Sequence, residues 1–315
     1  MKLKGDNMLQ YFKSFIEEFK VHKALFAMAA PAFFLVLIMQ YFPMSGLVLA
    51  FKSYRYDQGV FGSAWNGLEN FKYLFSSGTG WLITRNTILY NLMNLITSQF
   101  IAIVIAIFIS EIQKKWFKKI TQSVILLPYF ISWVVVGVFV FGLFNYETGV
   151  IDSIMKTMGK EPLNFYGTPA VWPFIICAFN SWKWVGYNSV IYIAAITGVD
   201  SEIHEAASID GATIFQRIKY ITLPSISPTI ITMILLQVGR ILRGDFEMFY
   251  QIVGNNGQLF NATDVIDTYV FRSLLQNADI GMTAAATFYQ SVLCFIIIMV
   301  VNAIVKHINA DYALF

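Results

Sequence analysis

Charged side chains are scarce in this 315-residue chain: Asp, Glu, Lys and Arg make up 13% of it, about half the roughly 25% usual in soluble domains. So few charges cannot cover an ordinary water-facing surface. Cysteine is nearly absent too. Cys177 and Cys294 both fall inside apolar runs, far from any Cys or His at metal-ligand spacing, which argues against a metal site and makes them small core hydrophobes. His204-Glu205 lacks the second His of a zinc-protease helix, and no catalytic triad can be assembled. There is no Gly-x₄-Gly-Lys-Ser/Thr phosphate loop, so ATP has no site of that kind in this chain. An internal repeat is also missing, which weighs against the inverted-repeat layout of many secondary transporters.

What the chain has instead is apolar length. It is 57% hydrophobic and 17% aromatic, with 29 Phe and a mean hydropathy of +0.60. Helices of that composition are apolar on all sides and suit lipid better than a two-faced core. Six stretches approach the ~20 residues that cross a ~30 Å hydrocarbon layer: Ala24–Ala50, Thr87–Ser110, Ile120–Phe144, Ala170–Thr197, Ser225–Val253 and Gly281–Val305. Several are over-long, and Pro43 and Pro128 are the expected breaks. The fold class expected is all-α, a polytopic membrane protein with six transmembrane helices spanning residues 24–305. The first apolar run is much longer than the 7–15 residues of a signal-peptide core, so it is expected to stay as a helix. Ahead of it, in residues 1–23, Tyr11, Phe12, Phe15, Ile16 and Phe19 recur at helical spacing, an expected amphipathic helix on the membrane surface.

Orientation follows from Lys and Arg in the connections. Of 22 in the chain, 12 fall on the N-terminal side, among them Lys114, Lys115, Lys118 and Lys119, and seven on the other. The bias puts the N-terminus and the 306–315 tail in the cytoplasm. The lysines cluster at membrane boundaries and form no continuous basic face, which excludes nucleic acid as a partner. Asn261-Ala262-Thr263 matches a glycosylation acceptor but reads as a turn or cap before an external helix.

The longest inside connection, 198–224, carries the clearest pattern. Asp200 or Ser201 caps a first helix, Ile203, Ala206 and Ala207 give it a small apolar face, and Gly211 ends it. A second run places Ile214, Phe215, Ile218 and Ile221 before Leu223-Pro224 turns the chain into the next span. Alanines on a charged helix let another protein approach closely, so the loop reads as a rigid docking knob; an ordinary capped linker is the plainer alternative. Glu205-Ala206-Ala207, Gly211 four residues on, then Ile221-Thr222-Leu223-Pro224 after nine more resemble, without a mismatch, the E-A-A-x₃-G-x₉-I-x-L-P loop of permease subunits in bacterial ABC importers. Segments such as Phe42–Gly46, Gly186–Ser189 and Asp264–Val270 are similar to the carbohydrate-uptake branch, including permeases for complex oligosaccharides of the aldouronate type.

The resemblance implies a type I ABC importer permease fold in the bacterial cytoplasmic membrane and a subunit with no catalysis or cofactor of its own. It implies a second, related permease subunit, two ATPase subunits holding ATP and Mg, and an external binding protein, periplasmic or lipid-anchored, that delivers the sugar. The helix Ser201–Asp210 would sit in an ATPase cleft, with Glu205 making polar contacts and Gly211 allowing the turn. Cargo would move by alternating access. A permease for a non-sugar solute and an ion-coupled secondary transporter stand as rival readings.

Intramembrane polar groups supply the candidate cargo path, because a charge at the bilayer centre costs ~2.5–3.5 kcal/mol and turns toward a cavity or partner. Lys183 lies mid-span between Trp182 and Trp184. Asn180, Trp184 and Asn188 share one helix face, with Lys183 and Tyr187 on the adjoining one. Rings that stack on sugars beside amides and hydroxyls suit carbohydrate; a purely structural anchoring of the span, with Lys183 held by an acidic residue or carbonyl of the partner subunit, is the alternative. Near the end of the fifth span come Gln237, Arg240 and Arg243. An Arg243–Glu247 pair would make these structural, whereas an acidic cargo would meet Lys183, Arg240 and Arg243 together.

Overall fold

The chain folds as helices connected by short turns, and the computed structural model describes residues 14, 17–276 and 278–308. The expected surface helix around Tyr11–Phe19 lies largely outside these residues, as does most of the 306–315 tail. Helix α1, Lys23–Val36, runs through a π-turn at Leu37–Tyr41 into a 3-10 stretch, Phe42–Phe51. The π-turn sits immediately ahead of Pro43. Proline's ring collides with the carbonyl four residues back, and here the turn widens, so that the Phe42 N–H reaches the Leu37 carbonyl. The same device recurs further on, where Ile218–Thr222 forms a π-turn just before Pro224 and the Leu223 N–H reaches the Ile218 carbonyl. Two-residue strands, Lys52–Ser53 and Ala64–Trp65, make an antiparallel pair after the first span.

Helix α2 covers Thr79–Ser110, beginning eight residues before the expected span. The third stretch is not one straight helix. Helix α3, Lys115–Leu126, passes into a 3-10 turn at Leu127–Phe130 carrying Pro128, then extended Ile131, and α4 restarts at Trp133–Phe144 with Ser132 accepting from the Val135 N–H as its cap. The two halves meet at 90°. Helix α5, Trp172–Thr197, is central and packs most extensively on α2. Gly186 on α5 permits its approach to α3: a Cβ there would overlap the Ile125 carbonyl and lie 2.9 Å from Leu126 Cα.

After α5 come α6 (Ser201–Ile209), the single turn α7 (Ile214–Arg217), the π-turn, and α8 (Leu223–Val238). Leu223-Pro224 therefore does not turn the chain. It lies inside a continuous helical run, Ile214–Val238, because the π-turn absorbs the proline. The fifth span also ends earlier than expected: Gly239–Asp245 forms a turn, and Phe246–Val253 is a separate short helix, α9, capped by the Asp245 side chain on the Met248 N–H. Helix α10, Ile266–Leu275, precedes the last one, α11, Ile280–Ile308.

Four of these runs are long and apolar enough to cross a membrane, and the bent α3–α4 pair makes up to five. Helix α5, at 26 residues or about 39 Å, has the length. Its buried Asn180, Ser181, Lys183, Asn188 and Ser189 keep its composition less apolar. Three apolar clusters hold the bundle. Trp133, Trp172, Met248 and Phe249 join α4, α5 and α9; Ala106, Tyr192, Ile193 and Ile226 join α2, α5 and α8; Ile83, Leu242, Ile266 and Met282 join α2, α10 and α11.

Candidate functional site

The 198–224 connection forms a projecting knob. Asp200 caps α6 by accepting from the Glu202 N–H at 3.0 Å. At the other end the Ala212 N–H reaches the Ala207 carbonyl at 2.9 Å and the Gly211 N–H the Ser208 carbonyl at 3.2 Å, the paired closure of a Schellman motif. That motif needs a left-handed residue, and Gly211 supplies φ +83°. Thr213 and Gln216 then form a reciprocal capping box that starts α7.

No residue of α6 is buried. Ser201, Glu205, Ala206 and Asp210 are exposed and Ala207 is half-buried, while Ile209 and Phe215 beside them are 86% and 84% exposed. Ile221 and Leu223 are half-buried and Pro224 exposed, with Leu223 packed on the α2–α5–α8 cluster. This loop shares one side of the molecule with the end of α2: Arg217 lies 3.9 Å from Glu111, and Ile112 and Ile218 enter the same cluster. The knob thus holds two large apolar side chains, Ile209 and Phe215, out of the bundle.

An open cavity of ≈ 660 Å³ lies between α2, α5 and α8. Of the residues singled out in the sequence, Asn180, Trp184, Tyr187, Asn188, Gln237, Arg240 and Arg243 all line it. One wall carries Trp184 and Tyr187, backed by Tyr129, which does not line the cavity but stacks on Tyr187 at 4.9 Å and meets the edge of Trp184 at 5.4 Å. The opposite rim carries the two arginines, both exposed. The Arg243–Glu247 pair allowed by four-residue spacing is not formed, since Arg243 lies in the turn and Glu247 in α9. Among the described residues neither Arg240 nor Arg243 has a carboxylate within 4.0 Å.

Two of the residues singled out, Lys183 and Trp182, are not brought to this cavity. Lys183 is 6% exposed and does not line the cavity. It donates to the Tyr129 carbonyl at 3.1 Å and to the Ile131 carbonyl, and sits 5.2 Å over the Trp133 ring. Those carbonyls are orphaned by the bend at Pro128, so the ammonium closes the end of a broken helix. Trp182 points the other way, into an apolar groove with Pro128, Phe174 and Val185.

The sequence reasoning also missed the α2 wall. Asn91, Asn94 and Ser98 line the cavity, spaced three and four apart in an apolar run, a polar stripe on one helix face that was there to be read. Asn91 donates to the Ile241 and Arg243 carbonyls at 2.9 and 3.2 Å, fixing the turn that presents the arginines. Asn94 Oδ1 is buried without a partner. Asp245, in the same turn, accepts from Trp133 Nε1 at 2.9 Å. Burial pushes its carboxyl up from the usual range, against the pull of the Met248 and Trp133 hydrogen bonds.

A bundle of apolar helices with a polar cavity between them and an apolar knob outside the bundle defines a membrane transport subunit. The sequence model of the family described as "Binding-protein-dependent transport system inner membrane component" matches residues 102–310, more than half of the chain, and the chain belongs to that family. It is 31% identical over 289 residues to the polygalacturonan/rhamnogalacturonan transport system permease protein YteP of Bacillus subtilis, covering 92% of this chain and 89% of that one. It is 30% identical to protein LplB of the same organism, over 95% and 93% of the two chains. Among solved structures it matches a bacterial ABC transporter involved in import of the acidic polysaccharide alginate, with a TM-score of 0.85, 31% identity and coverage of 94% and 99%. A second solved structure, of a bacterial alginate ABC transporter in complex with an alginate pentasaccharide-bound periplasmic protein, matches with a TM-score of 0.83 and 32% identity over 93% and 97%. The chain is thus a permease subunit of an ABC importer, working with a substrate-binding protein.

Proposed function

We propose that this chain is one of two related permease subunits of an ATP-driven importer and that its cargo is an acidic oligosaccharide. The observation that carries the substrate class is the cavity itself, with Trp184 and Tyr187 on one wall, amides along α2 and α5, and on the rim two exposed arginines with no carboxylate within 4.0 Å. Rings stack on the apolar faces of sugars, amides bind their hydroxyls, and Arg pairs bidentately with carboxylates. The relatives named for polygalacturonan and alginate support the same reading, since both polymers carry carboxylates.

In this reading α6 docks on an ATPase subunit, with Glu205 and Asp210 at its polar contacts, and ATP and Mg are bound there and not by this chain. The bent α3–α4 pair and α5 complete six spans, with both termini in the cytoplasm as the Lys114–Lys119 cluster favours. Delivery from an external binding protein and inward release by alternating access follow.

The test is to copurify the chain with its second permease and ATPase, reconstitute them, and measure ATP hydrolysis with a binding protein loaded with uronate-bearing or neutral oligosaccharide. Stimulation by the acidic cargo is expected. Glu205→Arg with Gly211→Trp is expected to release the ATPase and abolish uptake; unchanged assembly and uptake in that variant would refute the docking role.

A further inference from the structure

We infer that Arg217 is the brace that ties the docking knob to helix α2 and so carries ATPase movement to the cavity; this rests on the docking role proposed for α6. Because α6 buries no side chain, it has little packing to resist swinging about its ends. At one end it follows directly on α5. At the other it turns at Gly211, a left-handed glycine with open space around it. A force applied to such a helix would be lost in its own rotation unless something held it sideways.

One side chain does so. Arg217 Nη1 donates to Ser208 Oγ at 3.0 Å, and its Nη2 lies 3.9 Å from Glu111 Oε2. Ser208 is on α6, and Glu111 is the C-cap of α2. One guanidinium nitrogen therefore hydrogen-bonds the knob while the other faces the foot of α2 at ion-pair distance, a two-sided placement of its planar fork that a lysine's point charge does not reproduce. The mount is firm. Arg217 ends the turn started by the Thr213–Gln216 capping box, and the next residue, Ile218, packs into the α2–α5–α8 cluster. Its Nε is buried, which places the side chain between elements and not in open water. Helix α2 is unbroken from this foot to Ser98 and Asn91 on the cavity wall, about 20 Å and 30 Å away at 1.5 Å per residue. Displacing Glu111 thus displaces the wall opposite α5. Arg217 is a positioning residue: it touches neither ATP nor cargo.

The experiment uses the full transporter in proteoliposomes and reads two quantities, ATPase retained on the permease pair and cargo taken up per ATP hydrolysed. In Arg217→Ala and Glu111→Gln, retention and basal hydrolysis are expected to stay, while uptake per ATP falls roughly five-fold or more. Arg217→Lys is expected to recover only part of it, and the exchange Arg217→Glu with Glu111→Arg more than either single change. Wild-type uptake per ATP in both Arg217→Ala and Glu111→Gln, with ATPase bound, would overturn the brace. Should Arg217→Ala fail to assemble, Glu111→Gln, at a half-exposed position, decides alone. Failure of the unmodified chain to retain an ATPase would instead overturn the docking role on which the brace rests.

Discussion

Lys183 Nζ donates to the Tyr129 carbonyl at 3.1 Å, across 54 residues of chain, and by that contact a mid-span ammonium becomes the cap of a bent helix. The carbonyl exists to be capped because Pro128 stops the helical ladder and Ile131 leaves it extended. Trp133, the first residue of the restarted helix, covers the ammonium from the other side.

Lys183→Met is therefore expected to act on stability and not on cargo charge. It leaves the half-buried carbonyls of Tyr129 and Ile131 without this donor, at a cost of about 1 kcal/mol. Thermal unfolding of the purified complex should shift down, while the ratio of acidic to neutral oligosaccharide uptake stays unchanged. A changed ratio at unchanged stability would return Lys183 to the cargo path.

The opposite outcome is expected at the cavity rim. Arg240→Gln and Arg243→Gln remove charge from exposed side chains with no carboxylate within 4.0 Å, so stability should hardly move at Arg240 and only slightly at Arg243, whose charge acts at longer range on Asp267. Hydrogen bonds to charged groups contribute about 1.5–3 kcal/mol, so each change should raise the half-saturating concentration of an acidic cargo roughly tenfold or more. A neutral oligosaccharide should show little change. Equal effects on both cargoes would remove the arginines from carboxylate recognition.

Gly186 gives a test of packing. In an open helix interior, Gly→Ala gains roughly 1 kcal/mol. At Gly186 the added methyl meets the Ile125 carbonyl and the Leu126 Cα, backbone that has no rotamer to escape into, and overpacking costs typically ~1–3 kcal/mol. The second effect is the larger. Gly186→Ala should lower the unfolding temperature, while Gly142→Ala, with nothing within 4 Å of its would-be Cβ, should not.

What was legible in the sequence was local chemistry. The bounds of α6 could be read from Asp200 and Gly211, since a cap and a left-handed stop act on the residues beside them. The cavity face of α5 could be read from the spacing of Asn180, Trp184 and Asn188. The end of the fifth span was obscured because Ile241, Leu242 and Phe246–Val253 continue the apolar run, although Gly239, Arg240, Arg243, Gly244 and the capping Asp245 mark the interruption. The destination of Lys183 depended on carbonyls exposed by a bend in a different span, which spacing along α5 does not encode. Asn91, Asn94 and Ser98 were legible in principle, but a stripe of small polar residues in an apolar helix is quieter than a lysine between two tryptophans.

Ile209 and Phe215 stand almost fully exposed on a loop outside the bundle. A subunit made without the protein that covers this patch presents sticky side chains to water on a helix held by little packing of its own. Such a surface favours aggregation and invites proteolysis. On the docking role proposed for α6, the surface that grips the ATPase is also expected to make each unassembled copy short-lived, coupling the abundance of this chain to that of its partners.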